Sequence, residues 1–215
     1  AYRLMVVLDP VELEITNYPE GKNEILTAEN NQEDSSFGTR EVSFSKNLFI
    51  EREDFKEEFN RKYFRLSIGK EVRLKNGYII MGDSVEKDKN GKITKILCTY
   101  DPKSRSGSGT EESLRKVKGT IHWVDKNNHE MIDINLYDRL FKIESPDENK
   151  EVDFKTYINE NSLIKVKNVC AESSIKKVSF DNYYQFQRKG YFKLDSKNEK
   201  LTFNRTVTLR DTWRS

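Results

Sequence analysis

Residues 85–100 read VEKDKNGKITKILCTY, with Asn90-Gly91 near the centre. Asn-Gly accepts the left-handed backbone that a tight hairpin turn requires, and here it joins two runs of alternating residues. The stretch therefore predicts an antiparallel hairpin. Residues 86–93 (EKDKNGKI) also look like the first half of a calcium loop. The twelfth position would be Leu97 rather than a bidentate glutamate, and the flanks read as strands, so the turn reading prevails.

Alternation with period two recurs on both sides of this hairpin. Ile132, Ile134 and Leu136 alternate with Asp133, Asn135 and Tyr137. Leu201, Phe203, Arg205, Val207 and Leu209 alternate with smaller polar residues. Such a period puts one set of side chains on each face of a strand. Residues 70–81 (KEVRLKNGYIIM) read as one further strand, bulged at Gly77. One segment departs from the pattern. Residues 54–66 (DFKEEFNRKYFRL) place Phe55, Phe59, Tyr63 and Leu66 at helical spacing, with Asp54 as cap and Glu57 three residues on. The expected fold class is mostly β, antiparallel, with a short helix. A Ser/Gly-rich break at 101–113 divides the chain, and a second polar stretch lies at 144–153.

The chain has 215 residues, of which 34% are charged and 35% hydrophobic, so small cores under a charged surface are expected. Aromatic residues make up 11%, which excludes a disordered chain. No apolar run reaches eighteen residues, so no membrane-spanning helix is expected, and no signal peptide is visible. Cys98 and Cys170 stand far apart without a CxxC motif, which suits free thiols in a reducing cytoplasm. The chain begins at Ala1 in a strand-like run, as a piece of a longer protein would.

Net charge is only +2, but the charge is sorted. Residues 60–76 hold Arg61, Lys62, Arg65, Lys70, Arg73 and Lys75 against Glu71 alone, a local +5. Arg73 and Lys75 share one strand face, and Arg61 and Arg65 would share one helix face. A basic wall of this kind can face phosphates or base edges; a solvated face of internal ion pairs is the plainer reading. Residues 182–192 read NYYQFQRKGYF, five aromatics among two glutamines, an arginine and a lysine. Glutamine amides both donate and accept, arginine forks onto a base or phosphate, and rings stack unpaired bases. Tyr191 and Phe192 are expected to pack a core, Gln185 and Arg188 to bind. His122 and His129 are too few for zinc, and His122 beside Trp123 reads as a packed strand residue. The chain has no nucleophile elbow, metalloprotease motif or phosphate loop, so no catalytic residue is assigned.

The order of several strings carries a resemblance. They are residues 7–10 (VLDP), 13–18 (LEITNY), 40–45 (REVSFS), 54–66, 69–76 (GKEVRLKN), 116–124 (KVKGTIHWV), 136–141 (LYDRLF), 185–192 (QFQRKGYF) and 203–213 (FNRTVTLRDTW). In this order the chain resembles the C-terminal anticodon-binding region of glutaminyl-tRNA synthetase, a class I aminoacyl-tRNA synthetase. The resemblance implies two antiparallel β-barrels, similar to RNA-binding ribosomal-protein barrels. The proximal barrel would take residues 1–113 plus 196–215, with the last strand returning to it; the distal barrel would take 114–195. It implies binding of the anticodon loop of glutamine tRNA, so that a separate N-terminal catalytic domain can charge the 3′ end with ATP and Mg2+. The His-Ile-Gly-His and Met-Ser-Lys type motifs of that domain do not occur here, so this region by itself is expected to be non-catalytic and monomeric.

Carried over by position, the resemblance makes Arg3 and Gln185 readers of the middle anticodon base, Arg65 of the third and Arg73 of the first. Lys75 and Arg188 would contact phosphates or base edges nearby. Apart from the resemblance, the basic segment itself makes Lys62 and Lys70 expected phosphate contacts. Lys75 stands where some members carry arginine; lysine keeps the charge and loses the fork. The implied arrangement brings Arg3, Arg65, Arg73 and Gln185 to one face. The rival readings are the anticodon-binding region of a glutamyl-tRNA synthetase, a ribosomal-RNA-binding barrel, and a β-barrel protein-interaction module without RNA.

Overall fold

The structure, a computed structural model, describes residues 1–59, 62–197 and 200–209. These residues form β1 (Tyr2–Leu4), β2 (Val6–Val7), β3 (Pro10–Ile15), β4 (Glu24–Glu29), β5 (Thr39–Phe44), β6 (Asn47–Glu51), β7 (Glu71–Leu74), β8 (Ile79–Lys87), β9 (Ile93–Tyr100), α1 (Glu111–Leu114), β10 (Thr120–Ile121), β11 (Trp123–Asp125), β12 (His129–Tyr137), β13 (Leu163–Glu172), β14 (Tyr183–Phe186), β15 (Gly190–Ser196) and β16 (Thr202–Val207). The protein is mostly β, as its alternation requires.

Two seven-stranded sheets, ordered β10-β7-β8-β9-β3-β6-β11 and β1-β14-β15-β16-β12-β13-β2, dominate the fold. Each is nearly closed in the same way. The edge strands β10 and β11 are adjacent in sequence, as are β1 and β2. One short, interrupted stretch of chain therefore pairs with both edges of each sheet. Closing a sheet on itself removes the unpaired edges that would otherwise template aggregation.

The Asn90-Gly91 hairpin forms as expected: β8 and β9 pair antiparallel, with Gly91 at φ +78. Asp88 Oδ1 accepts from the Asn90 and Lys92 N–H groups, so the carboxylate closes the turn. Residues 70–81 are two strands rather than one. Asn76 takes φ +58, the Gly77 N–H donates to the Leu74 carbonyl, and Glu71, Val72 and Arg73 face Met81, Ile80 and Ile79.

Three further expectations are corrected. The last strand, β16, pairs with β12 and β15 and so belongs to the second sheet, not the first. Tyr2 to Val7 also serves the second sheet, whereas Thr120 to Asp125 serves the first. The expected helix over 54–66 is absent: none of its described residues is α-helical. Phe55 forms a bridge with Leu66, and the Leu66 N–H donates to the Asp54 carbonyl. Only Phe55 and Leu66 of the four spaced apolar residues are buried, while Phe59 is 46% exposed. Arg61 lies outside the described residues.

Each sheet wraps its own core. Trp123, fully buried in the first, meets Phe44 edge-on at 5.0 Å and donates its indole N–H to the Lys75 carbonyl. Phe186 and Phe192 stack at 4.1 Å in the second. Phe192 thus packs as expected, but Tyr191 faces outward. Both cysteines are free and buried, and burial pushes their thiols up, Cys170 to about 11.

Candidate nucleic-acid interface

β1 and β14 run parallel, with Arg3 directly opposite Gln185. Leu4, Tyr184 and Phe186 turn into the second core. Strand alternation therefore sends Arg3 and Gln185 outward together. Arg3 donates to the Gln32 side chain at 2.6 Å and pairs with Glu33 at 3.0 Å. Glu33 is 85% exposed, so water screens this pair and a ligand can displace it at little cost.

Lys75 adjoins this pair. Val72 and Leu74 of β7 are buried, which turns Arg73 and Lys75 to the other face. Burial, then repulsion from Arg3, lowers the Lys75 pKa against the pull of Glu29, with a smaller repulsion from Arg40. Among the described residues no carboxylate lies within ion-pair reach of its ammonium. A partly buried, uncompensated ammonium favours an incoming anion.

Arg73 differs from Lys75 despite sharing its face. Its Nη1 donates to the Ser104 carbonyl and the Ser106 hydroxyl, and its Nη2 to the Ser113 and Arg115 carbonyls. These partners fasten the crossing between the two halves. Contact with a base would require Arg73 to leave them. Lys70 is also engaged: it donates to the Tyr63 carbonyl at 2.6 Å and lies 3.9 Å from the Phe59 ring centroid. Lys62 is exposed.

Arg65 and Arg188 meet at Asp54, the residue expected to cap a helix. Arg188 forks onto Asp54 with both bonds at 2.6 Å, and Arg65 pairs with the same carboxylate at 2.9 Å. Asp54 has no exposed surface. Arg188 reaches it because the β14–β15 turn bends sharply there, at φ +67. Its Nη1 also lies 3.4 Å from His122 Nδ1. Behind them, Glu51 accepts the Leu8 N–H at 2.8 Å and pairs with Lys189 at 3.2 Å. Burial alone would raise the Glu51 carboxyl, but His122, Lys189 and the Leu8 N–H outweigh it and hold it below the usual range. His122 is buried, as expected, but its Nε2 is 3.5 Å from Glu51 without a well-formed hydrogen bond. Asp54, Glu51, His122 and Lys189 thus clamp the β14–β15 turn onto the first sheet. Their role carries no local sequence signal.

Residues 119–123 draw these groups together. The Gly119 and Ile121 carbonyls accept from the Arg73 and Lys75 N–H groups, and His122 reaches Arg188. A Cβ at Gly119 would stand 2.0 Å from the Phe64 carbonyl oxygen, so only glycine allows this approach beside Arg65. An open cavity of about 520 Å3 lies here, lined by Phe59, Tyr63, Phe64, Arg65, Lys70, Lys116 and Lys118 among others. Rings and cations around an open cavity suit a splayed nucleobase and its phosphate.

Two family models match the chain, both described as anti-codon binding domains of class I tRNA synthetases (E and Q), over residues 1–101 and 120–195. The glutamine–tRNA ligase of Proteus mirabilis is 50% identical over 215 residues, covering 99% of this chain and 38% of that protein. The glutamine–tRNA ligase of Rhodopirellula baltica is 47% identical over 216 residues, covering 99% of this chain and 35% of its own length. The chain therefore spans little more than a third of the curated relatives it matches. With both halves matched and nearly every residue aligned to these relatives, the chain belongs to the anticodon-binding domain family of the class I tRNA synthetases for glutamate and glutamine.

Proposed function

We propose that this chain is the anticodon-binding region of a cytoplasmic glutamine–tRNA ligase and grips the anticodon loop of glutamine tRNA. In this reading the remainder of the parent protein carries the ATP- and Mg2+-dependent charging of the 3′ end. The observation that carries the proposal is the outward pair Arg3–Gln185, beside the Lys75 ammonium that has no carboxylate partner. An amide and a guanidinium side by side offer the mixed donors and acceptors of a base edge, and Lys75 offers charge to a phosphate. Arg65 and the aromatic cavity form a second station for a base. Arg188 acts here mainly by holding the β14–β15 turn through Asp54, and Arg73 by holding the crossing segment. Both thereby position the contacts rather than make the first ones. Lys62 and Lys70 supply charge around the cavity.

Filter binding of the chain to glutamine tRNA and to an anticodon-substituted copy tests this. Tight binding to the first, weaker binding to the second and a steep fall with salt are expected, because bound phosphates release counterions. Preference for glutamate tRNA would transfer the site to the other amino acid of the family. Binding that ignores both anticodon and salt would overturn the proposal.

A further inference from the structure

Beyond Gln185, the outward face of the second sheet continues in two cross-strand rows. Gln185 stands between Arg3 on β1 and Tyr191 on β15, and Tyr183 stands opposite Lys193. Tyr183 is 58% exposed and Tyr191 37%, so both rings present a face to solvent. Lys193 holds its ammonium 4.2 Å from the Tyr183 ring centroid. Unlike Lys176 and Lys200, which pair with Glu130 and Asp133, it has no carboxylate within ion-pair reach among the described residues.

We propose that Tyr183 and Lys193 form a further RNA-binding station, in which the Tyr183 ring stacks an unpaired loop nucleotide flanking the anticodon triplet and Lys193 meets its phosphate. The face is continuous with Arg3 and Gln185, so the proposal rests on the anticodon-binding reading above. An exposed ring stacks any base, because every base has a π-face. A stacking base displaces the Lys193 ammonium from the ring face, and the lysine, held opposite Tyr183 on β15, is then free to meet that nucleotide's phosphate. The occupant is thus a nucleotide taken for its shape and charge, not for its base identity.

The test uses the whole chain and glutamine tRNA. Tyr183→Ala should weaken binding about tenfold, and equally for the cognate and a middle-base-substituted tRNA. Tyr183→Phe, which keeps the ring, should bind as the wild type does. Lys193→Ala should weaken binding and lower the salt slope by about one unit. The Tyr183→Ala loss should vanish on a tRNA made abasic at the stacked flanking position, tried on either side of the triplet. Both residues are outward-facing, so thermal melts of the variants should match the wild type. Wild-type affinity for Tyr183→Ala, with Gln185→Ala still sensitive to the middle base, would overturn the station and leave the anticodon reading standing. Equal losses in Tyr183→Phe and Tyr183→Ala would overturn stacking. A wild-type chain indifferent to the anticodon would remove both.

Discussion

Arg188 and Asp54 form a two-bonded ion pair, each bond 2.6 Å, across the seam between the two sheets. Asp54 follows β6 in the first sheet, and Arg188 sits in the turn after β14 in the second. The pair therefore fixes the turn next to Gln185 relative to Arg65 and its cavity. Removing one partner strands the other, and a lone buried carboxylate is costly.

Arg188→Met should destabilise the protein by about 3 kcal/mol, since Asp54 keeps only Arg65. Asp54→Asn in the same chain should recover much of that loss. Urea melts of the two single variants and the double variant give the coupling directly. Additive losses would show that the pair does not act as a unit.

Lys75 should trade stability against binding. Its folded pKa is lowered, so at neutral pH the folded state carries a charge that burial and Arg3 oppose. That cost is present below the folded pKa and fades as pH rises through it toward the unfolded value near 10.4. Lys75→Met is expected to melt at a higher temperature than the wild type at pH 7, with the gap narrowing toward pH 10, while binding tRNA more weakly. A lower melting temperature at pH 7 would contradict this.

Glu51 should govern part of the acid lability. Its carboxyl titrates below the usual range when folded, so its stabilising contribution is full above about pH 4.3 and is lost as pH falls through the folded pKa. Glu51→Gln should be less stable than the wild type at pH 7, and the two melting temperatures should converge as pH falls below 4. Curves that stay parallel would exclude Glu51 as the group.

Local pattern revealed the strands but not their partners. The alternation around Ile132 and the Asn90-Gly91 turn are encoded by neighbours in sequence, and both appear as expected. The placement of β16 depends on pairing with β12 and β15, and no neighbour of Phe203 specifies it. Phe55, Phe59, Tyr63 and Leu66 have helical spacing, yet tertiary contacts override it: Asp54 is drawn into the seam by two arginines, and Phe55 and Leu66 close a loop. The candidate residues were visible by type, as amides and cations among rings. Their division into groups facing solvent and groups clamped inside was not. Arg73 and Lys75 look equivalent on one strand face, but Arg73 is held by distant carbonyls that only folding brings near.

Base reading by Gln185 is tested most directly by binding of the wild type and Gln185→Ala to glutamine tRNA and to a copy with a changed middle anticodon base, at several salt concentrations. The substitution removes no charge. It should cost roughly 1–3 kcal/mol against the cognate tRNA and little against the changed one, with an unchanged salt slope, by analogy with base-edge contacts to DNA. Equal weakening of both tRNAs would make Gln185 a structural residue of β14 and contradict the account.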